Sequence, residues 1–110
     1  MANPLRVIDA ARSVVDDVDR LLSAKRPMLL YDVQLRDSAG SIAANIREAY
    51  GRREGPERNQ FLRYARGSAE ETDEHLRANL RASRISPKQF WPVHNRIAVV
   101  VKMLNGLLRT

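Results

Sequence analysis

The residues best suited by type to metal or acid–base chemistry are the two histidines, His75 and His94, and their neighbours decide what they can do. A carboxylate-bridged di-metal centre inside a helical bundle needs Glu-x-x-His on two helices and a further Glu from each of the other two. Thr72 stands three residues before His75, and Trp91 three before His94, so the spacing fails at both. Glu71 and His75 do stand four apart, close enough to touch on one helix face. One such contact is not a site. Serines are frequent, yet none has a recognisable base and orienting group, and no glycine-rich loop leads into a helix as a phosphate cradle would. Without cysteine, thiolate metal sites and disulfides are excluded as well. The chain therefore reads as a non-enzyme with no metal and no cofactor.

Phosphate neutralisation is better provided for. The net charge is +6, and most of the excess lies at the end, where residues 84–110 contain five cations and no acid. These are Arg84, Lys88, Arg96, Lys102 and Arg109. Wound at about 100° per residue, Arg84, Lys102 and Arg109 fall beside Lys88, and Arg96 about 80° away, all off the apolar stripe Phe90, Val93, Ile97, Val101, Leu104 and Leu108. Such a cationic face steers polyanions and releases their counterions on contact, which points to RNA or DNA. Arginine far outnumbers lysine throughout, so solubility is the competing explanation for the charge. A second basic corner combines Arg47, Arg52, Arg53 and Arg58 with Tyr50, a possible stacking platform, but Glu48, Glu54 and Glu57 dilute it. The outward side of the last helix also carries Trp91, Val99 and Met103. An isolated bundle has little use for three apolar side chains there, so they are expected to form an oligomer interface.

Small residues crowd two helix-periodic segments, Ser38-Ala39-Gly40-Ser41-Ile42-Ala43-Ala44-Asn45-Ile46 and Ala65-Arg66-Gly67-Ser68-Ala69, on either side of the break Gly51-Arg52-Arg53-Glu54-Gly55-Pro56. A helical hairpin centred near Glu54 sets Ser41 opposite Gly67 and Ala44 opposite Tyr64. Ser41, Asn45, Gly67 and Ser68 are thus expected at a helix crossing near the short end of the usual range of about 8–10 Å. Asn45 either bonds across the hairpin and fixes its register or contacts a ligand or nucleotide. Glu48 and Arg52 are spaced for an ion pair on one helix.

The segment from Gln34 to Arg52, joined to Phe61-Leu62-Arg63-Tyr64-Ala65-Arg66-Gly67-Ser68-Ala69-Glu70-Glu71, resembles the signature of a bacterial family. Its members are small four-helix-bundle proteins first met as reading frames inside intervening sequences of large-subunit ribosomal RNA genes. They are similar in turn to the accessory protein of diversity-generating retroelements. The resemblance runs from about Tyr31 to Glu71, and more loosely through Met103-Leu104. Arg47 and Ala49 stand where Ala and Gly are usual, and Thr72 replaces a common Leu. What it implies is a basic ring, a homopentamer, that works with nucleic acid and with a partner such as a reverse transcriptase.

Four helices must position these residues. Asn3 and Pro4 are expected to open the first, with Ile8, Ala11, Val15, Val18 and Leu22 inward, Asp16, Asp17, Asp19 and Arg20 outward, and Lys25-Arg26-Pro27 as the stop. The second runs from Leu29 or Tyr31 to Tyr50, with Leu35, Ala39, Ile42, Ile46 and Ala49 inward and Gly51 as its cap. Pro56 starts the third, which turns Phe61, Ala65, Ser68, Thr72, Leu76 and Leu80 or their neighbours to the core. Ser86-Pro87-Lys88-Gln89 starts the fourth with a capping Ser, a Pro at the first position and a Gln three after the Ser. No segment alternates with the period of a strand. The 110 residues form a single domain, predicted as an all-α, up-down-up-down antiparallel four-helix bundle that assembles into a ring. No apolar run approaches the ~20 residues of a membrane span, and the lack of cysteine fits a cytoplasmic location. The function expected is a basic oligomeric adaptor for structured RNA or DNA or for a nucleic-acid-processing partner. The alternative is a protein-binding scaffold with no direct nucleic-acid contact.

Overall fold

A computed structural model describes residues 4–23 and 28–109. It contains α1 (Pro4–Ser23), α2 (Leu30–Tyr50), α3 (Pro56–Arg81) and α4 (Pro87–Leu108), with no strand among the described residues. Among the described residues each helix backbone lies beside two others: α1 beside α2, α2 beside α3, α3 beside α4 and α4 beside α1. The body measures 43 × 21 × 19 Å, its long axis close to the ~39 Å that the 26 residues of α3 span at 1.5 Å each.

Local chemistry explains the helix ends. Ser86 Oγ accepts from Gln89 N at 3.2 Å while Gln89 Oε1 accepts from Ser86 N at 2.9 Å, the reciprocal capping box expected ahead of α4. Pro56 and Pro87 stand at first helical positions, where a missing N–H leaves no bond unmade. Gly51 caps α2, donating to the carbonyls of Arg47 and Glu48, but with φ of −79° it stays right-handed. Gly55 has φ of +147° just before α3, a conformation that favours glycine. The expected Asn3 cap and the Lys25-Arg26-Pro27 stop lie outside the described residues.

The core runs along all four helices. On α2 the expected residues Leu35, Ala39, Ile42, Ile46 and Ala49 are all buried, joined by Ala43, Ser38 and Asp32. On α4 Phe90, Val93, Ile97 and Leu104 are buried as predicted, whereas Val100 takes the central place assigned to Val101, and Leu108 is half-buried. On α1 the stripe is centred on Val7, Ala11, Val14, Val18 and Leu22, so Ile8 and Val15 flank it. That rotation also carries Asp17, expected in solvent, to a buried position. On α3 the inward residues are Leu62, Ala65, Ala69, Thr72, Leu76 and Asn79, with Phe61, Ser68 and Leu80 half-buried.

The α2–α3 crossing differs from expectation. Gly67 is exposed, and a Cβ added to it would meet nothing within 4 Å. Ala44 and Tyr64 are exposed too, and Ser41 and Ser68 lie at the margin. The small residues that admit close approach are Ala39, Ala43, Ala65 and Ala69, all buried. Beside them the Thr72 hydroxyl lies 3.0 Å from Ser38 Oγ and 2.7 Å from the Ser68 carbonyl, while Ser38 donates to the Leu35 carbonyl at 3.1 Å. This buried pair is a polar link between the two helices. Asn45 does not cross: its Nδ2 donates to the Ser41 carbonyl at 2.9 Å, one turn back on its own helix. The physical reason is rotational. At about 100° per residue, Gly67 lies about 170° from the centre of the α3 core stripe, and Ser41 about 120° from that of α2.

Ala69→Leu should therefore overpack the crossing and lower stability by about 1–3 kcal/mol in thermal melts followed by circular dichroism. Gly67→Ala should raise stability by up to ~1 kcal/mol through helix propensity, and Gly67→Leu should be tolerated. Destabilisation by Gly67→Leu equal to that by Ala69→Leu would contradict the placement.

Candidate nucleic-acid interface

The cations proposed for polyanion binding divide into two groups according to whether the fold already uses them. Arg84 belongs to the fold. Its Nη2 donates to Asp32 Oδ2 at 2.6 Å, where the Asp32 side chain is fully buried, and its Nε lies 3.3 Å from Asn79 Oδ1. The turn that delivers Arg84 closes α3 with two bonds, Ser83 N to Leu80 O at 3.0 Å and Arg84 N to Asn79 O at 2.9 Å. This is a Schellman end, with Ser83 at φ of 58° in the place glycine usually takes. Asp32 in turn accepts from Leu29 N at 2.9 Å and so caps α2. Sequence reasoning placed Arg84 on the cationic face; its neighbour across the bundle, 52 positions earlier, left no local trace.

Arg96 is also engaged. Its Nε lies 3.0 Å from Asp17 Oδ2, and Arg20 pairs with Asp17 Oδ1 from the same helix. Asp17 Oδ2 has no hydrogen-bond donor, so the Arg96 charge is what compensates its burial. At the corner, Arg52 pairs with Glu48 at 2.7 Å, as its spacing predicts, and with Glu57 at 2.8 Å, and its guanidinium covers the Phe61 ring at 4.1 Å. Those two carboxylate partners raise the Arg52 pKa. Arg58 donates to the Arg52 carbonyl and lies over the Tyr50 ring at 4.7 Å, which occupies one face of the proposed stacking platform. Burial pushes the Tyr50 phenol up, and the Arg58 charge partly offsets it.

Of the cations proposed for polyanion binding, the remaining ones are Lys88 and Lys102 on α4 and Arg109 at its C-terminal cap, with Arg47 and Arg53 at the corner. All are exposed, and none pairs with a carboxylate among the described residues. Trp91 is 53% and Val99 48% exposed, as expected, while Met103 is half-buried against the core. No group of three or more His, Asp or Glu among the described residues is arranged to hold a metal. Glu71 and His75 stand 4.0 Å apart. An unanticipated pair joins α3 to α4: His94 Nδ1 and Asp73 Oδ1 are 2.6 Å apart, with Arg77 on the other Asp73 oxygen at 2.8 Å. His94 stacks on Phe90 with centroids 5.2 Å apart and meets the Trp91 edge at 5.4 Å.

This architecture has a known counterpart. The model of the family described as 23S rRNA-intervening sequence protein matches residues 3–106. The chain belongs to that family. A crystal structure of a protein of unknown function from the S23 ribosomal protein family of Bacteroides thetaiotaomicron is similar, with a TM-score of 0.87. The two are 24% identical over 94% of this chain and 99% of that one, a likeness that establishes the fold alone. No match to the chain was found among curated proteins. In this member of the family, two of the five cations after residue 83 hold helices together and three face outward.

Arg84→Gln should remove the guanidinium charge from the buried Asp32 carboxylate and cost about 3–5 kcal/mol in urea unfolding. Lys88→Gln, an exposed change nearby, should stay within about 0.5 kcal/mol. Similar effects for the two would mean that Arg84 does not carry the junction.

Proposed function

We propose that this chain is a non-enzymatic, self-associating basic adaptor that engages structured RNA or DNA through the outward face of α4. The observation that carries this reading is a group of cations left free of internal pairing: Lys88 and Lys102 lie on α4, a helix that contains no acid, and Arg109 stands at its C-terminal cap. The Arg66–Asn105 bond of 2.9 Å sets the last turns of α4 beside the first half of α3, so Arg109 shares an end of the bundle with Arg47 and Arg53. The five cations therefore track along α4 and around that end, a layout suited to a phosphate backbone more than to base edges. Short connections at 51–55 and 82–86 support an up-down-up-down order of antiparallel neighbours.

Self-association rests on Trp91 and Val99, large apolar side chains exposed among the free cations. A closed ring, a homopentamer by resemblance to the retroelement accessory protein, repeats the cationic strip and gains avidity without new contacts. Such a ring in the cytoplasm would present RNA or DNA to a processing partner such as a reverse transcriptase. No helix among the described residues is long and apolar enough to cross a membrane. One observation favours the protein-scaffold reading: much of the arginine, including Arg52, Arg84 and Arg96, is already spent on internal carboxylates.

Two experiments decide between these readings. Binding to RNA and to DNA should be measurable at low salt and fall steeply as salt rises, with a log–log slope near 0.9 per phosphate neutralised on duplex DNA. Replacing Lys88, Lys102 and Arg109 with Gln should weaken binding and flatten that slope. The Arg47→Gln, Arg53→Gln pair tests the corner alone. No binding by the wild type, or no effect of either set, would leave the scaffold reading in its place. Separately, light scattering should report a closed oligomer at micromolar concentration. Trp91→Glu with Val99→Glu should dissociate it and leave helicity intact; a monomeric wild type would remove the ring.

A further inference from the structure

Four large apolar side chains stand exposed in succession where the chain enters α2: Met28 (44%), Leu29 (41%), Leu30 (70%) and Tyr31 (46%). The other exposed large hydrophobics among the described residues, Tyr64, Trp91 and Val99, occur singly. Single exposed side chains are ordinary on any protein surface, but a run of four signals a covered surface. Between α3 and α4 lies a groove of about 370 Å³. Ile97, Ala98 and Val101 make its apolar floor, and Glu70, Asp73 and Glu74 its acidic rim. His94 lines one end, where the half-exposed Trp91 extends the apolar surface.

We propose that this groove receives the Met28–Tyr31 segment of a second copy of the chain, in a head-to-tail contact. The proposal rests on the self-association reading above and names its two complementary surfaces. Charge supports the match. Arg77 and His94 answer Asp73, whereas Glu70 and Glu74 are exposed and pair with no cation among the described residues. The incoming segment has a cation beside it, since exposed Arg36 places Nη1 3.8 Å from Met28 Sδ. Asp32, the one carboxylate in the first turn of α2, is buried against Arg84 and does not oppose the rim. Arg36 also lies 3.8 Å from Asp37, an exposed acid on the same helix. The Tyr31 hydroxyl supplies a donor for a rim carboxylate, a charge-assisted hydrogen bond.

Within one chain the two surfaces do not meet: Met28–Tyr31 stands exposed and does not line the groove, and the α2 backbone packs beside α1 and α3. The contact is therefore between molecules and heterologous, using different surfaces on each copy. Interfaces of that type close into rings when the rotation allows and form open filaments when it does not.

The test pairs a variant with a broken segment (Leu30→Asp with Tyr31→Asp) and one with a broken groove (Glu74→Arg with Ala98→Arg), read by light scattering after size exclusion. Each alone should lose the wild-type oligomer and run as a monomer. Their equimolar mixture should give a dimer and nothing larger, because one intact segment still meets one intact groove. All four positions are exposed, and circular dichroism should confirm helicity; if the double segment variant unfolds, Leu30→Glu alone takes its place. An oligomeric wild type whose variants remain oligomeric would overturn this interface while self-association stands. Monomeric variants that form no dimer on mixing would overturn the head-to-tail geometry. A monomeric wild type would overturn both readings.

Discussion

The buried carboxylate of Asp32 is the constraint around which this structure is organised. A carboxylate removed from water must be paired and hydrogen-bonded, or it will not stay charged. Partners that meet that requirement for Asp32 include the Leu29 amide at the start of its own helix and the Arg84 guanidinium from the α3–α4 turn. Satisfying it fixes several things together. The first turn of α2 is capped, α3 must end where Arg84 can reach back, and α4 must begin immediately afterwards at Ser86. The left-handed Ser83, an unfavourable conformation for a residue with a Cβ, is held by the same closure.

The Asp17–Arg96 pair does comparable work between α1 and α4, and His94–Asp73 and Arg66–Asn105 tie α3 to α4. These links redefine the surface. The acid-free segment 84–110 looks wholly available to polyanions until the arginines committed to internal carboxylates are removed. Among the cations expected to bind polyanions, those left are Lys88 and Lys102 on the outside of α4, Arg109 at its C-terminal cap, and Arg47 and Arg53 at the corner. Arginine suits the internal positions because its fork satisfies a carboxylate and a second acceptor together, as Arg84 does with Asp32 and Asn79. Both lysines of α4 are left in solvent.

The α2–α3 crossing shows how a correct observation can be assigned to the wrong atoms. Both segments are indeed rich in small residues, and the helices do fold back on one another around the turn near Gly55. Matching Ser41 to Gly67 by distance from the turn, however, ignored the face on which each lies. Ala65 and Ala69, four apart, carried the readable signal and coincide with the Leu62–Leu76 stripe. Glycine at position 67 is therefore no packing requirement, since a side chain there would project into open space. The same rotational sensitivity put Val7 and Val14 in place of Ile8 and Val15 on the α1 stripe and took Asp17 inside.

Sequence alone determined the number and class of the elements, most of the core, and the start of α4, because these depend on periodicity and on caps formed by residues a few positions apart. Leu35, Ala39, Ile42, Ile46 and Ala49 were legible for that reason, as were the Ser86–Gln89 box and the Glu48–Arg52 pair. It also located the acid-free cationic segment and the exposed Trp91 and Val99. Tertiary structure alone decided which cations are free. Arg84 and Arg96 find partners 52 and 79 positions away, and no local pattern encodes a contact that exists only once two helices are adjacent. It also decided that Ser38 and Thr72, not Ser41 and Gly67, meet across the crossing, because a helix rotated by one residue, about 100°, presents a different set of side chains to its neighbour.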